Sequence, residues 1–239
     1  MTPLSCLLPI ETATNTCSVA LTQDGVCLFE QIDEQGPNHA RVLAPFAEEA
    51  LSFAESHAIP LDAVAVSMGP GSYTGLRIGV STAKGICYGR GAKLVPVPTL
   101  QLLTVPLLLG TEEMPDDALL CPMIDARRME VYCALYDRAL REVTPTRAMV
   151  VEPHTFDAWL DERPIYFIGP GSAKCRDIIS HPAARWATDI RPLARHMMPL
   201  AERALARGEE ADVAYFEPFY LKEFVATVSK KDVLHMPAH

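Results

Sequence analysis

Three features of the 239-residue sequence predict an α/β fold of two lobes, each a mixed β-sheet flanked by helices. Residues 66–91 read as the end of an apolar strand, a glycine-rich turn and a helix. Apolar runs at 4–10, 63–68, 94–97, 119–124 and 165–169 have the continuous hydrophobicity of buried strands. Gly169-Pro170-Gly171 then repeats, more weakly, the strand and turn around Gly69-Pro70-Gly71, as a duplicated unit would.

Taken in order, the strand at 4–10 leads into a polar turn from Glu11 to Thr16. Residues 17–21 and 26–31 form a hairpin around Asp24-Gly25. Asn38 is placed to cap a helix running to about Ser56, with Val42, Phe46, Ala50 and Phe53 along one face. After the strand at 63–68, Leu76, Val80, Ala83 and Cys87 give the next segment a helical spacing. A strand at 94–97 and a short helix at 100–109 precede an acidic loop at 110–118. Strands at 119–124, 130–136 and 147–151 follow, then a helical turn at 156–160, a strand at 165–169 and a helix from Ala173. Residues 197–207 are amphipathic and stop at Gly208. We therefore divide the chain into a first lobe, 1–100, completed by the 197–207 helix, a smaller lobe, 101–196, and a flexible tail, 208–239, ending in Lys230-Lys231 and His235 to His239.

Composition narrows the function. Hydrophobic residues at 49% and charged residues at 21% describe an ordinary soluble globule, and the formal net charge of −9 repels a polyanion. Contact with a nucleic acid is therefore expected only through a partner. Seven cysteines without a CxxC read as buried thiols of a reducing cytoplasm, not as disulfides or zinc ligands. No basic segment precedes the first apolar run, and no apolar run reaches the roughly 18 residues of a membrane span, so neither a signal peptide nor a membrane is expected.

Seven of the thirteen glycines fall between Gly69 and Gly91. Inside a helix each costs about 1 kcal/mol relative to alanine, so close approach of a backbone or ligand must offset it. Gly75, Gly79 and Ala83 stand four apart, and we expect them to form an open groove that receives a helix from another chain. A leucine at Gly79 should then leave the monomer folded while blocking that partner. Phosphate-loop and hydrolase patterns do not match. Lys84 is followed by Gly85 and not by Ser or Thr, no carboxylate closes the strand ending Val95-Pro96-Val97-Pro98, and Ser72 follows Gly71 directly, which rules out GxSxG.

The run GPGSYTGLRIG followed by AKG is close to GPGSFTGLRIG, with Tyr73 where phenylalanine is usual. Glu11 lies in IETAT, residues 18–21 read SVAL, residues 125–132 read DARRMEVY, and residues 217–221 read EPFYL. Spread in order along the chain, these motifs resemble the TsaB family, bacterial partners of TsaD in making threonylcarbamoyladenosine on tRNA. The resemblance implies two ribonuclease H-like lobes of the actin-like ATPase kind and a non-catalytic subunit. Such a subunit pairs with TsaD through two helices, here 38–56 and 74–88, and TsaE then joins and hydrolyses ATP. The interface expected from it comprises His39, Val42, Leu43 and Phe46 on one helix and Tyr73, Thr74, Gly75, Leu76, Gly79 and Ala83 on the other.

In the actin-like fold the first turn holds phosphate, and here Glu11, Thr12, Thr14 and Asn15 form a degenerate version of it. Glu11 replaces the usual aspartate and Ala13 the glycine, so two readings stand: a hydrogen-bonded turn of hydroxyls, or a weakened phosphate loop. TsaD carries a metal-binding His-x-x-x-His on the matching helix, but four residues after His39 comes Leu43, so His39 is expected at the solvent or the interface and no metal site is expected. No cofactor is expected on this chain alone; ATP or ADP could lodge at the seam with TsaD, and the free protein is expected to form a homodimer. Asp125-Ala126-Arg127-Arg128 reads either as a turn held by an Asp to Arg pair or as a partner or ligand contact. An actin-like ATPase or kinase, and last a glycoprotease-type peptidase, are the alternative functions.

Overall fold

A computed structural model describes residues 5–36, 38–110 and 113–222. Its first sheet has the order β3-β2-β1-β4-β5. It is built from β1 (Cys6–Glu11), β2 (Cys17–Gln23), β3 (Val26–Asp33), β4 (Ala63–Gly69) and β5 (Lys93–Pro98). The first three strands pair antiparallel, and β4 and β5 add in parallel on the other side of β1. The second sheet, β10-β9-β6-β7-β8, repeats that order strand for strand. Its members are β6 (Leu119–Asp125), β7 (Glu130–Tyr136), β8 (Glu142–Val150), β9 (Ile165–Ile168) and β10 (Ala184–Ala187). Two sheets of identical topology are what a duplicated ribonuclease H-like fold requires, and the two Gly-Pro-Gly turns follow the equivalent strands β4 and β9.

Turn chemistry fixes the first hairpin. Asp24 and Gly25 both adopt positive φ, 55° and 78°, the left-handed pair that matches the twist of β2 and β3. Helices α1 (His39–Ser56) and α2 (Tyr73–Arg90) cover one face of the first sheet, where Leu43 and Ala50 meet Val80, Ala83 and Cys87 over Leu8, Ile10 and Val66. The helices α3 (Thr99–Leu108) and α5 (Met198–Ala206) cover the opposite face. Helix α3 is apolar all round because it serves two cores: Leu102 and Val105 pack on the first sheet, Leu100 and Leu103 on the second.

The second lobe keeps the strands and loses the helices. Where the first has two helices of 18 residues, the second has α4 (Asp157–Leu160) and a single 3-10 turn, Ala173–Cys175, in place of the helix expected from Ala173. Three other expectations change. Strand β8 starts at Glu142, five residues before the predicted strand, and β10 was not predicted at all. Asn38 precedes α1 as expected but makes no side-chain cap; its carbonyl accepts from Arg41 and Val42 N–H. The tail is not free over 209–222. Ala211 N donates to Leu94 O (2.8 Å), Lys84 Nζ to Ala214 O (2.9 Å), and Phe219 N to Met68 O (2.7 Å). The Tyr220 ring lies tilted against that of Tyr73, centroids 4.6 Å apart, and Lys222 pairs with Glu130 of the second lobe. This segment straps the first lobe to the second, while Lys230, Lys231 and the residues from His235 to His239 lie outside the described residues.

Candidate partner interface and the loop beneath it

The helices α1 and α2 lie side by side and parallel. Near their N-termini the His39 ring meets the backbone at Gly75, and near their C-termini Arg90 pairs with Glu55 at 2.5 Å. Ser72 caps α2, its hydroxyl accepting from Gly75 N (3.3 Å), and Gly91 ends it at φ 66°.

The glycines of α2 do not face outward where the groove was expected. Gly75, Gly79 and Ala83 are buried: the two glycines approach this chain's own 11–16 loop, and Ala83 packs in the core beneath the helices. A Cβ on Gly75 would stand 2.1 Å from the Thr12 carbonyl oxygen, and one on Gly79 2.2 Å from the Thr12 hydroxyl. Gly71 is pressed the same way against Ala13, where an added Cβ would meet the carbonyl oxygen at 2.4 Å. In the second lobe Gly171 repeats this contact against Met123 and Ile124. The close approach that glycine permits is therefore internal, between each lobe's Gly-Pro-Gly turn and the end of its first strand. Leu43 and Leu76 are also core residues, and His39 is 5% exposed, donating from Nε2 to Thr14 O at 2.7 Å. Of the ten expected interface residues, Thr74 is exposed and Val42, Phe46 and Tyr73 are half-buried; the other six are buried under the chain's own atoms. The small residues of α2 that stay open are Ser81, Gly85 and Gly89, also four apart; no atom comes within 4 Å of a Cβ added at Gly85 or Gly89.

The loop at Glu11–Thr16 does not fit a phosphate. Such a site offers free backbone N–H groups, yet here Ala13 N donates to Glu11 Oε1 (2.6 Å) and Thr16 N to Thr14 Oγ1 (3.4 Å). Ser72 N, at the start of α2, donates to Ala13 O (2.7 Å). The carbonyls of Thr12 and Thr14, turned toward Gly75 and His39, would repel an anion. Glu11 itself is fully buried with no cation beside it; its other oxygen accepts from Ser67 Oγ, and burial pushes the carboxyl up to about 7 against those hydrogen bonds. Thr12 is fully buried as well, Thr14 is half-buried and Asn15 is exposed. Among the described residues no group of three or more His, Cys, Asp or Glu is placed to hold a metal, and no helix is long and apolar enough to cross a membrane.

The turn at Asp125 is held by a lysine, which sequence reasoning missed. Lys174 Nζ donates to Asp125 Oδ1 (2.7 Å) and to the carbonyls of Arg128 (2.8 Å) and Glu130 (2.7 Å). Desolvation raises the Asp125 carboxyl, but bonds from Lys174 and from Arg127 N outweigh it and leave the group below its ordinary value. The expected Asp to Arg pair is not formed. Arg127 and Arg128 take positive φ, 70° and 52°, and project into solvent. Lys174→Met should loosen this tip, and trypsin should then cut after Arg127 or Arg128 several-fold faster than in the parent protein; equal cleavage would deny the lysine its clasping role.

Two lobes that repeat one mixed five-stranded sheet, the first covered by a pair of parallel helices, define an actin-like, ribonuclease H-like fold. A family model for "TsaD: tRNA N6-adenosine threonylcarbamoyltransferase" matches residues 32–230. The "tRNA threonylcarbamoyladenosine biosynthesis protein TsaB" of Escherichia coli K12 is 30% identical over 229 residues, which cover 92% of this chain and 96% of that one. The TsaB of Bacillus subtilis 168 is 28% identical over 226 residues, 90% and 93% of the two chains. The solved structure of YeaZ from Pseudomonas aeruginosa is 26% identical and superposes with a TM-score of 0.76, covering 91% of this chain and all of that one. The chain belongs to the TsaB branch of this family.

Proposed function

We propose that this chain is a non-catalytic cytoplasmic subunit in tRNA threonylcarbamoyladenosine biosynthesis that pairs with a TsaD-type chain. The observation that carries the reading is the loop itself: Ala13 N, Thr16 N and Ser72 N are bonded within the lobe and the Thr12 and Thr14 carbonyls turn toward α2 and His39, so the fold keeps the framework of an ATPase with its phosphate loop filled by the chain's own contacts. The family's printed names supply the pathway. In this reading TsaE joins the pair, tRNA is met through the partners, ATP or ADP enters only at the seam, and the free chain dimerises through the same helices.

The partner docks on the outer side of α1 and α2, over Val42, Phe46, Thr74 and the open row Ser81, Gly85 and Gly89. Gly85→Leu is the test. The position is exposed with no atom within 4 Å of an added Cβ, and the change improves helix propensity by about 1 kcal/mol, so the monomer should melt no lower than the parent. Mixed with the TsaD of the same organism, it should elute apart on size-exclusion chromatography where the parent coelutes. An undiminished heterodimer would remove this face from the interface. Calorimetric titration of the isolated parent with magnesium and ATP should show no micromolar binding, and its appearance would revive the ATPase reading.

A further inference from the structure

A cleft of about 430 Å³ opens between the lobes, on the α3 and α5 side of the first sheet and so across the sheet from α1 and α2. Its floor is apolar, made by Met68, Pro96, Val97 and Pro98 where β4 and β5 end. One wall is α5, through Leu200, Arg203 and Arg207; the other is the β7–β8 turn of the second lobe, where Leu140 and Arg141 reach across. The volume suits a small ligand, and the lining comes from both lobes.

The charges of this cleft run against those of the chain. The protein carries a net −9, yet three arginines and one carboxylate, Glu209, line this space. Arg203 is half-buried and has no acidic partner among the described residues, while Arg207 is only loosely met by Glu209 at 3.8 Å. Arg141 is engaged by Asp137 at 2.6 Å. Arg203 and Arg207 stand four residues apart at the end of α5 and line the same space, with Arg141 on the facing wall. Two arginines side by side, neither closely paired with a carboxylate, match an anion with three terminal oxygens better than one with two, and the proline and leucine floor asks for an apolar body. We infer that this interlobe cleft binds a small organic phosphate monoester, its phosphate between Arg203 and Arg207 and its body on Pro96, Pro98 and Leu140. The inference does not depend on the partner interface.

Phenyl phosphate is the probe, with inorganic phosphate and benzoate as controls that lack the body and the phosphate in turn. Calorimetry on the full chain should show phenyl phosphate binding about tenfold or more tightly than either control, and Arg203→Ala should lose about tenfold or more of that affinity. Arg207→Ala, at the exposed residue that caps α5, should lose a comparable factor, which guards against a folding defect in the first variant. Glu209→Gln, which frees Arg207 of its competitor, should bind more tightly. Absence of binding at millimolar phenyl phosphate, equal affinity for benzoate, or affinity unchanged in both arginine variants would overturn the site.

Discussion

Gly75→Ala is expected to destabilise the folded chain by roughly 3 kcal/mol or more, the largest effect of any single methyl group added to α2. The new Cβ would lie 2.1 Å from the Thr12 carbonyl oxygen, a backbone atom that no side-chain rotation can move aside. Relief requires the first turn of α2 to lift. That movement would break the bonds from Ser72 N to Ala13 O and from Gly75 N to Ser72 Oγ together. Gly79→Ala should cost less, because there the obstacle is the Thr12 hydroxyl, which can turn away. Gly85→Ala, in the same helix with nothing within 4 Å, should instead stabilise by up to about 1 kcal/mol. Urea titrations of the three variants at unchanged m-value give the comparison. Equal, small shifts at Gly75 and Gly85 would mean that α2 does not rest on the 11–16 loop.

The same contrast shows what the sequence could and could not say. Glycines four apart on a helix announce that something comes close, and they do so identically whether the neighbour is a partner's helix or the chain's own loop. Only the position of Thr12, more than sixty residues away, decides between them. Sequence order was legible where local patterns suffice: the Asp24-Gly25 hairpin, the apolar parallel strands and the boundaries of α2 all have short-range signals. It failed where pairing is long-range or the pattern is polar. Strand β8 alternates through Glu142, Thr144 and Thr146 with Pro145 at a sheet edge, which reads as loop. Lys174 finds Asp125 from 49 positions away, and the strap over 209–222 owes its order to β4, β5 and α2, none of which its own composition reveals. The weak second Gly-Pro-Gly, by contrast, carried more than it promised, since the strand order of the second lobe duplicates that of the first.

Glu11→Gln should remove a pH dependence of stability that falls between about pH 4.5 and 7. The Glu11 carboxyl ionises near its ordinary 4.5 when unfolded and near 7 when folded, because burial without a cation disfavours the carboxylate. A carboxyl whose folded value is raised favours the folded state fully below about 4.5. As pH rises toward 7 the unfolded chain releases this proton first, and that contribution is lost; above 7 both states are ionised and the penalty stays constant. The move from 4.5 to about 7 corresponds to roughly 3 kcal/mol. Glutamine keeps the shape: its carbonyl can accept from Ala13 N, and its amide can donate to Ser67 Oγ once that hydroxyl turns. The variant should therefore match the parent near pH 4.5 and exceed it by roughly 3 kcal/mol at pH 8, with the difference opening between those limits. A difference curve flat across that range would show that Glu11 is not held as a buried neutral acid. Because the same carboxyl fixes the turn on which Gly71 and Gly75 rest, the pH at which it ionises is also the pH above which the base of α2 sits on a buried charge.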